Sequence, residues 1–197
     1  MDAPHTSRPG AAAADDAPIR DGCLERARRG DLAAFRELMG AHQARIFSVA
    51  LRFTGLRSDA EELLQDVFLQ LHAALAQITN EEHLVRWLLR SITHRCIDRQ
   101  RHAGRRPRLV PMAAMPPAFE PAATELDADP LLSSRLHHLL LQLAPDARAV
   151  MLLRFQQDLD PADIAELLPM PVATIKSHLR RSLEWLRSQL EGDEHGT

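Results

Sequence analysis

The sequence predicts an all-α protein of two small helical domains joined by a Pro-rich linker. Three observations carry this. Ala, Leu, Arg, Glu and Gln dominate while β-branched runs are scarce, which favours helices over sheets. Apolar residues recur at steps of three and four in segment after segment. Between about residues 107 and 130 that periodicity stops, and six prolines with scattered acids replace it.

Composition sets the outer bounds. A chain of 197 residues holds one ordinary domain or two small ones, and 45% apolar residues are enough to pack their cores. No apolar stretch approaches bilayer length, and the N-terminus lacks the charged-then-apolar layout of a signal peptide, so we expect a cytosolic protein. Cys23 and Cys96 stand alone and suggest neither a disulfide scaffold nor a zinc knuckle. The eight glycines are dispersed, with no phosphate-cradling loop, and neither G-x-S-x-G nor H-E-x-x-H occurs. The ten histidines lack a second matched pair, and Cys96 falls on an apolar stripe. We therefore expect no catalytic, cofactor-binding or metal residues and no enzyme. At a net charge of −3, any affinity for nucleic acid has to come from local clusters.

In chain order, residues 1–23 read as a disordered arm, since the first 22 are half Ala, Pro and Gly. Residues 24–105 form a first domain. Its first helix follows Asp31, with Leu32, Phe35, Met39, Ile46, Val49 and Phe53 as the apolar set. Ser58 to Glu61 have capping-box spacing and open a second helix, whose stripe is Ala60, Leu63, Val67, Leu71, Ala74 and Ile78. A third carries Val85, Leu88, Leu89, Ile92 and Cys96 on one face. Residues 106–130 are the linker, 131–190 the second domain and 191–197 a tail. In the second domain, helical patterns cover 136–143 and 146–155. Asp160 before Pro161 is an N-cap followed by a favourable first helical residue, with Ile164, Ala165 and Leu168 facing inward. Past Pro169-Met170-Pro171 runs the stripe Ile175, Leu179, Leu183, Leu186 and Leu190. A short helix, a tight turn and a longer basic helix is the layout of a helix-turn-helix.

Three faces carry chemistry. Residues 86–108 hold eight arginines against one acid, Asp98. At roughly 100° per residue, Trp87, Arg90, His94 and Arg101 fall opposite the apolar stripe. A Trp among arginines offers base stacking beside phosphate-binding charge, as in proteins that hold unpaired strands. The alternative is a buried Trp beside a solvated basic face. On the second helix Asp59, Glu61, Glu62, Gln65 and Asp66 lie off the core stripe with a lone apolar residue, Leu69. That suits a basic protein partner, although on chemistry alone a solvated face is the simpler reading. On the last helix Thr174, Lys176, Ser177, Arg180 and Arg181 point outward, a set able to donate to guanine edges and phosphates.

The segments DAEELLQDVFLQLH from Asp59, RWLLRSITHRCIDRQRHAGRR from Arg86 and DLDPADIAELLPMPVATIKSHLRRSLEWLR from Asp158 together resemble the extracytoplasmic-function (ECF) group of sigma-70 factors. The resemblance covers about residues 25–105 and 131–190. It implies an alternative sigma factor with sigma-2-like and sigma-4-like domains, which binds core RNA polymerase at the largest subunit's clamp helices and at the flap. The matching docking positions are Glu62, Gln65 and Asp66, and the helical wheel adds Leu69. The Arg-rich helix with its preceding loop, residues 77–83, then reads and opens the −10 element through Asn80, Trp87, Arg90, His94 and Arg101. The last helix reads the −35 element through Thr174, Lys176, Ser177, Arg180 and Arg181.

The resemblance also implies an anti-sigma partner, and neither membrane insertion nor a small-molecule substrate. In the loop, Asn80, Glu81 and Glu82 stand where relatives often carry Arg-Gly, and Asn tolerates a left-handed backbone there. The Pro-rich linker leads us to expect domains that meet only weakly without polymerase. Two other readings remain. A sigma mimic that sequesters an anti-sigma factor needs the docking face but not the basic one. A stand-alone helix-turn-helix regulator leaves the acidic helix without a task.

Overall fold

The computed structural model describes residues 22–103 and 130–192. The expected arm, linker and tail fall almost wholly outside them. Among the described residues the chain forms eight α-helices and one 3-10 turn, without a strand. In order they are α1 (Cys23–Arg28), α2 (Leu32–Thr54), α3 (Arg57–Ala74), the turn Leu75–Gln77, α4 (Glu81–Ala103), α5 (Pro130–Gln142), α6 (Pro145–Phe155), α7 (Pro161–Leu167) and α8 (Val172–Gly192). None is long and apolar enough to cross a membrane.

Helix α2 is the hub on which α1, α3 and α4 pack. It starts where expected, because Asp31 Oδ1 accepts the Ala33 and Ala34 amides at 2.8 and 3.1 Å. It ends at Gly55, whose φ of +72° lets its amide close on Leu51 O at 2.8 Å. Its inner face is Ala34, Phe35, Leu38, Ile46, Val49, Ala50 and Phe53. Leu32, expected inside, is 58% exposed, because it is the first helical residue and precedes the turn that meets α1. Cys23 lies in that contact, its buried thiol donating to Ala34 O at 3.2 Å.

Helix α3 does not open with the expected capping box. It begins at Arg57 behind Leu56, without a side-chain cap. Only Gly55 and Leu56 separate it from α2, so the backbone turn has already placed Ser58 inside the first turn. The core stripe Ala60, Leu63, Val67, Leu71 and Ile78 is buried as read, with Leu64 added. In α4, Leu84, Thr93 and Ile97 join the expected Leu88, Leu89, Ile92 and Cys96 inside.

The second domain follows the sequence closely. Asp160 Oδ1 caps α7 through the Ala162 and Asp163 amides at 2.7 and 2.9 Å, with Pro161 behind it. Pro169–Pro171 break the chain, and Thr174 and Ile175 amides turn onto Pro171 O to start α8. Ile175 and Leu186 of the α8 stripe are buried, while Leu179, Leu183 and Leu190 are half-buried.

The expectation of weakly meeting domains is overturned. Phe53, Leu88, Ile92 and Cys96 of the first domain share one continuous apolar core with Val150, Leu153, Ile164 and Leu168 of the second. At its centre sits Arg148 of α6, only 2% exposed. Its Nη1 donates to Phe53 O at 2.6 Å, where α2 ends, and its Nε to Leu140 O at 2.9 Å. Nη2 donates to Leu143 O at 3.1 Å and to Leu141 O. The guanidinium also lies 5.2 Å from the Phe53 ring centroid. One buried cation thus satisfies carbonyls at the ends of α5 and α2, groups a helix cannot pair by itself. Burial pulls the Arg148 pKa down to about 10, so the charge persists at neutral pH.

Candidate nucleic-acid and protein interfaces

The outward face of α3 presents Gln65 and Leu69 to solvent, and Leu69 is 73% exposed. Such an apolar side chain amid polar neighbours is the pattern of an interface anchor. Glu62 and Asp66 are also on this face, but each is already paired with α4. Arg95 Nη1 meets Asp66 Oδ2 at 2.7 Å, and its Nε donates to Gln70 Oε1 at 3.1 Å. Arg99 meets Glu62 at 2.6 Å and Asp59 at 3.2 Å. The hydrogen bond from Arg99 holds the Glu62 carboxyl below its usual range, and Glu62 raises Arg99 in return.

Sequence reasoning passed over Arg95 and Arg99 as members of this acidic surface. The signal was present. Asp59, Glu62 and Asp66 recur at steps of three and four, and Arg95 and Arg99 at four, so two facing helices present complementary stripes.

The residues assigned to the −10 element part ways. Asn80 does not use the left-handed backbone that Asn tolerates, since Asp158 is the one described non-Gly residue with positive φ. Instead its Oδ1 accepts the His83 amide at 2.8 Å and caps α4. Glu81 and Glu82 are the first turn of that helix rather than loop residues, where carboxylates complement the helix dipole. Trp87 is half-buried, packing partly on the core, and its remaining surface lines an open groove of about 710 Å³ between α3 and α4. Arg90 and His94 line the same groove, and Arg90 is exposed. A planar ring beside cations in an open groove is an arrangement that receives stacked bases.

The rest of the α4 face is engaged by the second domain. His94 Nε2 donates to Leu167 O at 3.0 Å, which places a proton on that nitrogen. Arg101 Nη2 meets both Asp146 carboxylate oxygens at 2.9 Å. Arg86 meets Glu166, and Asp163 at 3.6 Å. The seam also holds a half-open pocket of about 290 Å³, to which α4 gives His94 and Arg101 and α8 gives Thr174 and His178.

On α8, Lys176 and Arg181 are exposed and Ser177 is half-buried. Arg180 is exposed and pairs with Glu184 at 3.0 Å, a contact one helical turn long that holds its guanidinium along the helix. Among the described residues no group of three or more His, Cys, Asp or Glu is placed to hold a metal ion.

Comparison with known proteins agrees with this layout. The sigma-70 region 2 family model matches residues 38–106, and the sigma-70 region 4 model matches residues 133–186. The chain is 26% identical over 183 residues to the ECF RNA polymerase sigma factor SigW of Bacillus subtilis (strain 168), covering 85% of this chain and 94% of that protein. It is 25% identical over 177 residues to the ECF RNA polymerase sigma-E factor of Haemophilus influenzae, covering 85% of this chain and 93% of the relative. Among solved structures, CnrH in complex with the cytosolic domain of CnrY superposes with a TM-score of 0.61 at 20% identity, covering 87% of this chain and 96% of CnrH. That likeness shows a shared fold.

Proposed function

Since the chain belongs to the ECF group of the sigma-70 family and is an alternative sigma factor, we propose that it divides its work among three helices. Helix α3 docks on the clamp helices of core RNA polymerase through Glu62, Gln65, Asp66 and Leu69. Helix α4 binds and opens the −10 element through Trp87, Arg90, His94 and Arg101, with Asn80 shaping the loop before it. Helix α8 reads the −35 element through Thr174, Lys176, Ser177, Arg180 and Arg181. A further contact of the second domain with the polymerase flap belongs to the same scheme. Sigma factors are initiation factors rather than catalysts, so no chemical step is assigned to the chain.

The observation that supports this division is the exposure of one apolar residue on α3 and of one aromatic among cations on α4. Leu69 is 73% exposed on an acidic helix, whereas Trp87 stands with Arg90 and His94 on the α4 wall of a groove whose other wall carries Asp66 and Gln70. Protein docking and base stacking need opposite surfaces, and both are present on one small bundle. CnrH was solved with the cytosolic domain of CnrY, and we assign this chain a regulatory partner of the same anti-sigma kind. Its place of work is the cytoplasm, where polymerase and promoter meet. The test is transcription from candidate promoters by core polymerase with and without this protein. Specific transcripts only in its presence are expected; none from any promoter, with core binding intact, would leave the sigma-mimic reading.

A further inference from the structure

The loop that leads into α4 is held by an imidazole. Asn80 Oδ1 caps the helix on the His83 amide at 2.8 Å, and the His83 ring turns back towards the residue before the cap. Its Nδ1 accepts the Thr79 amide at 3.3 Å and lies 3.1 Å from the Thr79 hydroxyl. In the usual capping box a Glu or Gln at this position reaches back to the backbone. Here a ring does so, and its protonation state is fixed by its partners. An amide can only donate, so Nδ1 carries no proton. The hydroxyl therefore donates to Nδ1 as well, and its own proton is committed. What Thr79 has left for a ligand is the lone pairs of its oxygen. The residue is exposed, while Ile78 before it is fully buried and anchors the loop. His83 and Trp87 are four residues apart on α4 and so share a face. The Thr79 hydroxyl, held on His83, thus stands about one helical turn before the ring that lines the groove.

We propose that His83 is a positioning residue that makes Thr79 a specificity determinant for an unpaired base of the −10 element, favouring adenine and cytosine over guanine and thymine. This rests on the reading of α4 and its preceding loop as the −10 surface. A free Thr hydroxyl pairs with either class, because it rotates to donate or to accept. Held on Nδ1, it can only accept. Adenine and cytosine present an amino group where guanine and thymine present a carbonyl oxygen. The amino group donates to the Thr79 oxygen, whereas a carbonyl in its place meets lone pairs and no proton. Glu81 and Glu82, which follow in the chain, also carry side-chain acceptors only, so neither supplies the donor a carbonyl needs.

The experiment uses holoenzyme assembled from core polymerase and the full chain. Fluorescent single strands span the −10 element of a promoter that the parent holoenzyme transcribes, with each base replaced in turn by the other three. Affinities are measured by anisotropy for the parent, His83→Leu, His83→Asn and Thr79→Val. At one position the parent is expected to bind adenine or cytosine on the order of fivefold more tightly than guanine or thymine, one hydrogen bond being at stake. Asn offers a carbonyl oxygen close to where Nδ1 stands, so His83→Asn should keep the preference. His83→Leu frees the hydroxyl and should lose the preference by gaining affinity for guanine and thymine. Thr79→Val should lose it by binding adenine and cytosine less well. A purely structural role for the ring would give no such gain. Preference retained in His83→Leu, or lost equally in His83→Leu and His83→Asn, would overturn the proposal. So would a loss in His83→Leu without any gain for guanine and thymine. A parent with no base preference at any position would instead remove the −10 reading itself.

Discussion

The two outward faces of the first bundle differ in what holds them. On α3, Gln65 and the 73% exposed Leu69 are open to a partner in the compact protein. On α4, Arg86, His94 and Arg101 are occupied by the second domain. Each surface is thus open in part: Gln65 and Leu69 are free on α3 while Glu62 and Asp66 are paired, and Trp87 and Arg90 line an open groove on α4 while His94 and Arg101 are engaged. Arg95 and Arg99 join the two faces, since they stand on α4 and hold the α3 acids.

The comparison breaks most severely at Arg148. Replacing it by Met leaves carbonyls at Phe53, Leu140, Leu141 and Leu143 without their donor. Hydrogen bonds to a charged group are worth about 1.5–3 kcal/mol each, and unpaired buried carbonyls add to the loss. We expect destabilisation on the order of 3 kcal/mol or more, read as a lower denaturation midpoint, with the seam lost before the first bundle unfolds. A midpoint within error of the parent would mean that the apolar core alone joins the domains.

Next in size is the docking face. Leu69→Ala and Gln65→Lys should each weaken binding to core polymerase, Gln65→Lys by about 2–5 kcal/mol if it faces a basic partner. Neither touches the core or an ion pair, so thermal stability should stay at the parent value. Asp66→Lys is a less clean probe than its sequence position suggests, because it also removes the partner of Arg95. Unchanged polymerase retention in a pull-down with both variants would leave α3 as an ordinary solvated helix.

A smaller effect is expected at Trp87. In holoenzyme, Trp87→Ala should spare closed-complex binding but reduce melting, since stacking on an unpaired base contributes about 1–3 kcal/mol. Permanganate reactivity of the −10 region reads it. Because the ring also packs partly on the core, a modest loss of stability accompanies the change. Full melting by the variant would assign the ring to packing alone.

The smallest effect is a pH dependence. Backbone amides hold the Asp31 and Asp160 carboxyls below their usual 3.8, and Arg99 holds Glu62 below 4.5. Groups lowered by folding contribute stability that is present above those ordinary values and lost as pH falls through the folded ones. Burial also lowers His137 from its ordinary 6.5, so the midpoint should begin to fall as pH drops below about 6.5 and fall further below pH 4 as the carboxyls protonate. A midpoint that rose on acidification would contradict the ion pairs between α3 and α4.

Much of this was legible in the sequence because it is local. Asp31 and Asp160 sit at helix starts, and the stripes of α2, α3 and α4 repeat with the helical period. The seam was not legible. Arg148 lies in a short helix where a charge reads as solvent-facing, and its burial depends on carbonyls at the ends of α2 and α5, which leave no mark in side-chain chemistry. Asp146, Asp163 and Glu166 likewise read as favourable first-turn or exposed acids, and only the fold brings them onto α4. The prolines of the linker spoke for separation, but a linker's composition sets its reach and not the affinity of what it joins.

The most direct measurement is the distance between the domains with and without polymerase. Ala73 on α3 and Arg187 on α8 are exposed and suit replacement by Cys for a donor and acceptor dye. The native thiols are buried, and burial pushes Cys96 up to about 12, so they will not compete for label. The account predicts a single high-transfer state in the free protein that falls when core polymerase is added. Low transfer in the free protein, or unchanged high transfer in a holoenzyme that initiates specific transcripts, would contradict it.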